Sequence, residues 1–164
     1  MKRSVDCDRG QTINHTQFKT FVAENAEWFR GPFPETDETF QEAEALLGVS
    51  LSTDFMWLLK EWGYGSAVGI DNLSESVQWT LRVRESWRMP RQYVLLHDWQ
   101  DAGIVLMDTD AVNIDGEPRV LWVTHPPQND DPSDIVKSYA TFAEWCIYRL
   151  EEERDFVSQP DTVE

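Results

Sequence analysis

Near Pro90 the spacing of apolar residues along the chain changes from helical to strand-like, and that change constrains the fold more than any other feature. Upstream, Phe55, Leu58, Leu59 and Trp62 fall at i, i+3, i+4 and i+7, a single buried helical stripe. Downstream, "YVLLH", "GIVLMD" and "RVLWVTH" are short apolar or β-branched runs separated by "DWQDA" and "TDAVNIDGEP". They read as three sequential antiparallel strands, at 93–97, 103–108 and 119–124, forming one meander. "HPPQNDDPSD" then reads as a loop, because its prolines and Asx residues favour turns. "KSYATFAEWCIYRL" reads as a closing amphipathic helix from Ser138, with Tyr139, Phe142, Cys146, Ile147 and Leu150 facing the sheet. Leu58, Trp62, Val105, Trp122 and Phe142 are expected to share the core.

Upstream of the meander the helical boundaries carry their own signals. A first helix is expected over about Thr16 to Trp28, broken by the two prolines of "RGPFPET". "TFQE" reads as a capping box, with Thr39 facing the amide of Glu42, and opens a helix through Leu47. Gly48 ends that helix in the left-handed position. Ser52 caps the next one, Asp54 suits its positive end, and Gly63 stops it. "SESVQWTLRVRESW" reads as a fourth helix, capped by Ser74 and stopped before Pro90.

A chain of 164 residues with 41% hydrophobic and 27% charged residues is expected to bury one core and form one domain. The expected boundaries are a frayed start at 1–15, a domain at 16–152 and an acidic tail at 153–164. The two cysteines, Cys7 and Cys146, have no metal-like spacing and suit a reduced compartment. Cys146 lies on an apolar helix face, where it acts as a small hydrophobe. No secretory leader and no membrane-length apolar run is read, so the expected location is the cytoplasm. The formal net charge of −16 favours cationic partners and opposes direct nucleic-acid or membrane binding.

The order "AEALLGVSLSTDFMWLLKEWGYG", "YVLLHDWQDAGIVLMDTD", "DGEPRVLWVTHPP", "SYATFAEWCIYRL" resembles the SMI1/KNR4 family of the SUKH superfamily. Glu44, Leu47, Gly48, Leu51, Asp54, Phe55, Leu58 and Gly63 fall on its signature positions, as do Asp108 and the Gly116 to Val120 segment. The resemblance covers about residues 38–150 and departs at Ser52, where the family usually has proline. It implies an α+β fold, a mostly antiparallel mixed sheet flanked by helices. It also implies a non-catalytic immunity protein that binds and neutralises a cognate toxin of a polymorphic or contact-dependent inhibition system, often a nuclease. The alternative it carries is an interaction scaffold or regulatory module without a toxin.

Charge and aromatic placement suggest where such a partner would dock. Asp98, Asp101, Asp108, Asp110, Asp115, Glu117, Asp130, Asp131 and Asp134 face a single base, Arg119, between 98 and 134. Each acid alone is more simply a solvated turn residue, but together they make a field complementary to a cationic nuclease. The expected partner-binding residues are Asp98, Trp99, Asp101, Asp115, Glu117, Asp130, Asp131 and Asp134. Trp99, an indole in a short polar loop, is either an interface anchor or a lid folded over the sheet. Arg82, Arg84, Arg88 and Arg91 form the one basic patch and are expected to pair with the chain's own acids or an acidic partner rim. His97 and His125 end two strands and, with Asp98 or Asp101, could neighbour each other as a metal or acid–base site. Two strand-end histidines are more often structural, so no metal, cofactor or catalytic residue is expected, and a monomer is favoured.

Overall fold

A computed structural model describes residues 12–64, 70–129, 132 and 134–158. Cys7, Asp130, Asp131, residues 1–11 of the expected frayed start and residues 159–164 of the expected acidic tail lie outside these residues. The described residues form six α-helices and a four-stranded open sheet. In chain order these are α1 (His15–Glu24), α2 (Ala26–Phe29), α3 (Asp37–Leu47), α4 (Thr53–Glu61), α5 (Leu73–Trp87), β1 (Tyr93–Asp98), β2 (Ile104–Val112), β3 (Pro118–Val123), β4 (Ile135–Tyr139) and α6 (Phe142–Ser158). The sheet is antiparallel throughout, in the order β1-β2-β3-β4.

The expected meander is present, and the sheet has one strand more. "IVKSY" pairs with β3, Tyr139 opposite Val120 and Lys137 opposite Trp122. Tyr139 therefore faces the core from a strand, not from the last helix. That helix begins later because Thr141 caps it: its Oγ1 accepts from the Glu144 amide at 3.2 Å, while Glu144 reaches back to the Ala140 amide.

A second correction concerns the opening of α3. Thr36, not Thr39, is its N-cap, with the Thr39 hydroxyl returning to the Thr36 amide at 3.1 Å. The first helix also breaks earlier than its apolar pattern implies. Asn25, whose side chain donates to the Phe21 carbonyl at 2.7 Å, separates α1 from α2. The fourth helix is capped by Asn72, not Ser74.

Both sheet faces are apolar and covered. On one face Val94, Leu96, Val105, Met107, Val120 and Tyr139 join Phe18, Leu47, Phe55, Leu58, Phe142 and Trp145 in the main core, with Trp62 and Trp122 packed against it. On the other, Tyr93, Leu95, Ile104, Leu106, Leu121 and Val123 pack with Val83 and Met89. Helix α5 straddles the β1 edge between the two. Its Leu73 and Val77 belong to the first cluster and its Val83 to the second.

The segment from Glu44 to Gly63 is the frame of this assembly. Gly48 closes α3 at φ 68°, the left-handed conformation that favours glycine, with the Arg91 guanidinium packed over it. The Glu44 carboxylate accepts from the Leu51 amide at 2.9 Å, holding the α3–α4 hinge. Ser52 caps α4 through the Phe55 amide at 3.1 Å. The signature residues are thus caps, hinges and core.

Candidate functional site: the acidic loops at two ends of the sheet

Antiparallel register decides which expected site residues can meet. Asp98 pairs with Ile104 and Ile104 with Val123, so the β1–β2 connection and the β3–β4 connection lie at one end of the sheet. The β2–β3 hairpin lies at the other. Asp98, Trp99, Asp101 and Asp134 therefore share one end, and Asp115 and Glu117 occupy the opposite one.

At the first end the chain turns through a short 3₁₀ segment, Gln100–Ala102. The Asp98 carboxylate accepts from the Gln100 amide at 2.7 Å, and Gly103 returns the chain at φ 103°. A Cβ on Gly103 would lie 2.2 Å from the Val123 carbonyl oxygen, so the turn needs glycine. Asp101 and Asp134 are exposed. Their carboxylates stay in water and set the local field.

Trp99 is half-buried and folded back on the sheet. It meets Trp122 edge-on at 5.0 Å between ring centroids and His97 at 5.7 Å. The Arg149 guanidinium from α6 lies 4.9 Å from its centroid, while Arg149 also bridges Glu152 and Glu153 at 2.9 and 3.0 Å. The Trp122 indole donates to the Ala102 carbonyl at 2.7 Å, so this tryptophan also fixes the loop. Across the sheet, His97, Val105, Trp122 and Lys137 occupy one row on the same face. The result is an aromatic platform that carries the Arg149 guanidinium, at the end of the sheet where Asp98, Asp101 and Asp134 also lie.

At the opposite end Glu117 is a structural group. It is only 7% exposed; its carboxylate accepts from the Ser52 hydroxyl at 2.5 Å and the Thr53 amide at 3.0 Å. Burial raises its pKa above the usual carboxylate value; the Ser52 bond opposes the rise and nearby Asp54 adds to it. This corrects its expected place on a docking surface, because its oxygens face the N-terminus of α4. Asp115 stays exposed beside it in the hairpin turn.

The histidines do not meet. His97 Nδ1 lies 3.1 Å from Asp71 on the face that carries Trp99, whereas His125 is exposed beside Trp87 and the prolines of the β3–β4 connection. Among the described residues no three His, Cys, Asp or Glu side chains are placed to hold a metal ion. A histidine contact that no spacing signalled is His15 with Asp54. Asp54 is 1% exposed in the first turn of α4, and His15 ties the start of α1 to it. The Cys146 thiol is fully buried, and burial pushes its pKa up.

The arginines divide. Arg84 does not pair with acids: it donates to the carbonyls of Leu47 at 2.7 Å and Tyr93 at 3.4 Å, and to that of Arg91. Burial, then the neighbouring Arg91 charge, lowers its pKa. With Arg91 over Gly48, two cations complement the C-terminal dipole of α3. Arg82 and Arg88 remain exposed, Arg82 stacked 4.9 Å from the Trp79 centroid.

A glutamate that ties α3 to the hinge, a glycine-closed helix and a serine-capped α4 in front of this meander coincide with a match to the model of the SMI1 / KNR4 family (SUKH-1) over residues 34–147. The chain belongs to that family. The SUKH family is known for immunity proteins that act against toxins and is generally non-enzymatic. No curated protein matches the chain. Among the described residues of this SUKH-1 protein, no helix is long and apolar enough to cross a membrane.

Proposed function

We propose that this SUKH-1 protein is a cytoplasmic immunity protein that neutralises a cognate toxin domain of a polymorphic or contact-dependent inhibition system by binding and covering it. The toxin is a cationic nuclease domain. What supports the reading is that exposed Asp101 and Asp134, with Asp98, share one end of the sheet with the Trp99–Trp122 pair, in a family known for toxin-directed immunity proteins. A groove that binds phosphates must be positive, so an acidic rim meets it with complementary potential and fast association. The tryptophans supply the apolar centre that such a rim surrounds in tight interfaces. Glu117 has no part in this surface, and Asp115 lies too far along the sheet to share it.

The test is co-expression with the C-terminal domain of a large secreted protein encoded beside this gene. The expected result is restored growth and a stoichiometric complex that loosens with added salt. Growth arrest unchanged by the chain, with no complex on mixing the purified proteins, would overturn it in favour of a scaffold without a toxin.

A further inference from the structure

The two edges of the sheet are finished in different ways. Along β1 the outward backbone groups are occupied: the Thr80 hydroxyl accepts from the Leu95 amide at 2.9 Å and the Ser76 hydroxyl donates to the Leu95 carbonyl. The Asp71 amide donates to the Leu96 carbonyl at 3.1 Å, and Arg84 to that of Tyr93. Along β4 no helix or loop among the described residues lays such groups, and residues 135–138 are exposed. Ile135 and Val136 keep 38% and 48% of their surface in water. An uncovered strand edge is a template for pairing with another chain.

From this asymmetry we infer that the outer edge of β4 is a docking site for an extended, basic segment of a protein partner, added as a fifth strand. The partner class rests on the toxin reading above; the site does not. Charge selects the occupant. Asp134 leads into β4, and Glu144, whose carboxylate accepts from the Ala140 amide, stands at its far end. Tyr148, which receives the Lys137 ammonium 3.5 Å from its centroid, donates to Glu152 on the same face of α6. Lys137, the one base of the strand, is thus turned onto the Tyr139 and Tyr148 rings and away from the edge. An added strand with basic residues would lie with its backbone against β4, between Asp134 and Glu144, the acids at the two ends of that strand. A second copy is the poorer occupant, because each chain carries a net charge of −16 and edge pairing would bring like charges together. The bulge at Val136 and the five-residue length of β4 limit the added strand to a short one.

The probe is an end-blocked peptide of alternating lysine and valine, titrated into the full chain while amide shifts are followed by NMR. Two controls leave the protein untouched: the same peptide N-methylated at alternate residues, and its glutamate–valine counterpart. The expected result is shifts centred on residues 135–139, no change at Leu95, at least about a tenfold loss of affinity on N-methylation, and no binding of the acidic peptide. Equal binding of the N-methylated peptide, or shifts confined to the Asp98–Asp101 and Asp115 turns, would overturn the inference. So would slow exchange, before any peptide is added, of the β4 amides that point away from β3, in a monomer or a dimer, because the edge would then already be taken by this chain. Co-expression with the toxin reports separately on neutralisation, so either result can fail while the other stands.

Discussion

At β1 the sheet ends against a helix that was built to meet it; at β4 it ends in water. Both are terminal strands of one antiparallel sheet, and the difference lies in which side chains approach them. Helix α5 presents Ser76 and Thr80 at a spacing of four, so both hydroxyls reach the Leu95 backbone while Val77 and Val83 pack to either side. Among the described residues nothing equivalent follows β4, because Thr141 starts α6 two residues after the strand and sends it across a face, not along the edge. One margin of the molecule is closed by a helix, and the other is an exposed strand.

The sharpest way to break this comparison is at Arg84, which joins α5, the end of α3 and β1 through three carbonyls. Arg84→Ala should lower unfolding free energy by about 2–3 kcal/mol in urea titrations, since charged hydrogen bonds at a half-buried site are removed. Neutralising Arg82 and Arg88, which are exposed, should change it by less than about 0.5 kcal/mol. Equal effects would remove the distinction between the buried and exposed halves of the basic patch.

Next in size is Thr80→Val. It leaves the Leu95 amide without its acceptor and should cost about 1–3 kcal/mol, whereas Ser138→Ala on β4 should cost less than about 0.5 kcal/mol. If both edges respond alike, the α5 hydroxyls do not close the β1 edge.

Glu117→Gln should have a smaller effect with a definite sign in pH. An acid whose folded pKa is raised stabilises most below its unfolded pKa, and that contribution fades as pH rises through the folded value. The amide keeps an acceptor for the Thr53 N–H and does not ionise. The variant should therefore gain on the parent as pH rises from the carboxylate range to neutrality, read as a growing difference in urea midpoint. A difference that shrinks over the same range would contradict the assignment of burial as the cause.

How much of this was legible in the sequence depends on the distance over which each feature is encoded. The α4 stripe, the Ser52 cap, the Gly48 closure and the three-strand meander are local patterns, and each is present. The capping-box signature was read at Thr39–Glu42, inside a helix that Thr36 had already begun. The same signature at Thr141–Glu144, where it operates, is hidden in the sequence because "KSY" joins smoothly to the helical aromatic pattern. That single boundary hid β4 and with it the open edge. The role of Glu117 had no local signal at all, since its partner Ser52 is 65 residues away. Sequence alone leaves Trp99 open as an anchor or a lid, and its contacts with Trp122 and Arg149 place it on the sheet as part of a platform.

The acidic end of the sheet, and not the α5 side, is expected to receive the partner. This is tested most directly by the association rate of the purified chain with the toxin domain, measured by stopped flow at low and high salt. Reversing charge at exposed Asp101 and Asp134 should slow association by about tenfold at low salt, with the gap closing as salt is added, while neutralising Arg82 and Arg88 leaves the rate unchanged. Both variants must first melt like the parent. If the arginine variant loses the toxin and the aspartate variant keeps it at the parent rate, the partner docks on the α5 side and the account is wrong.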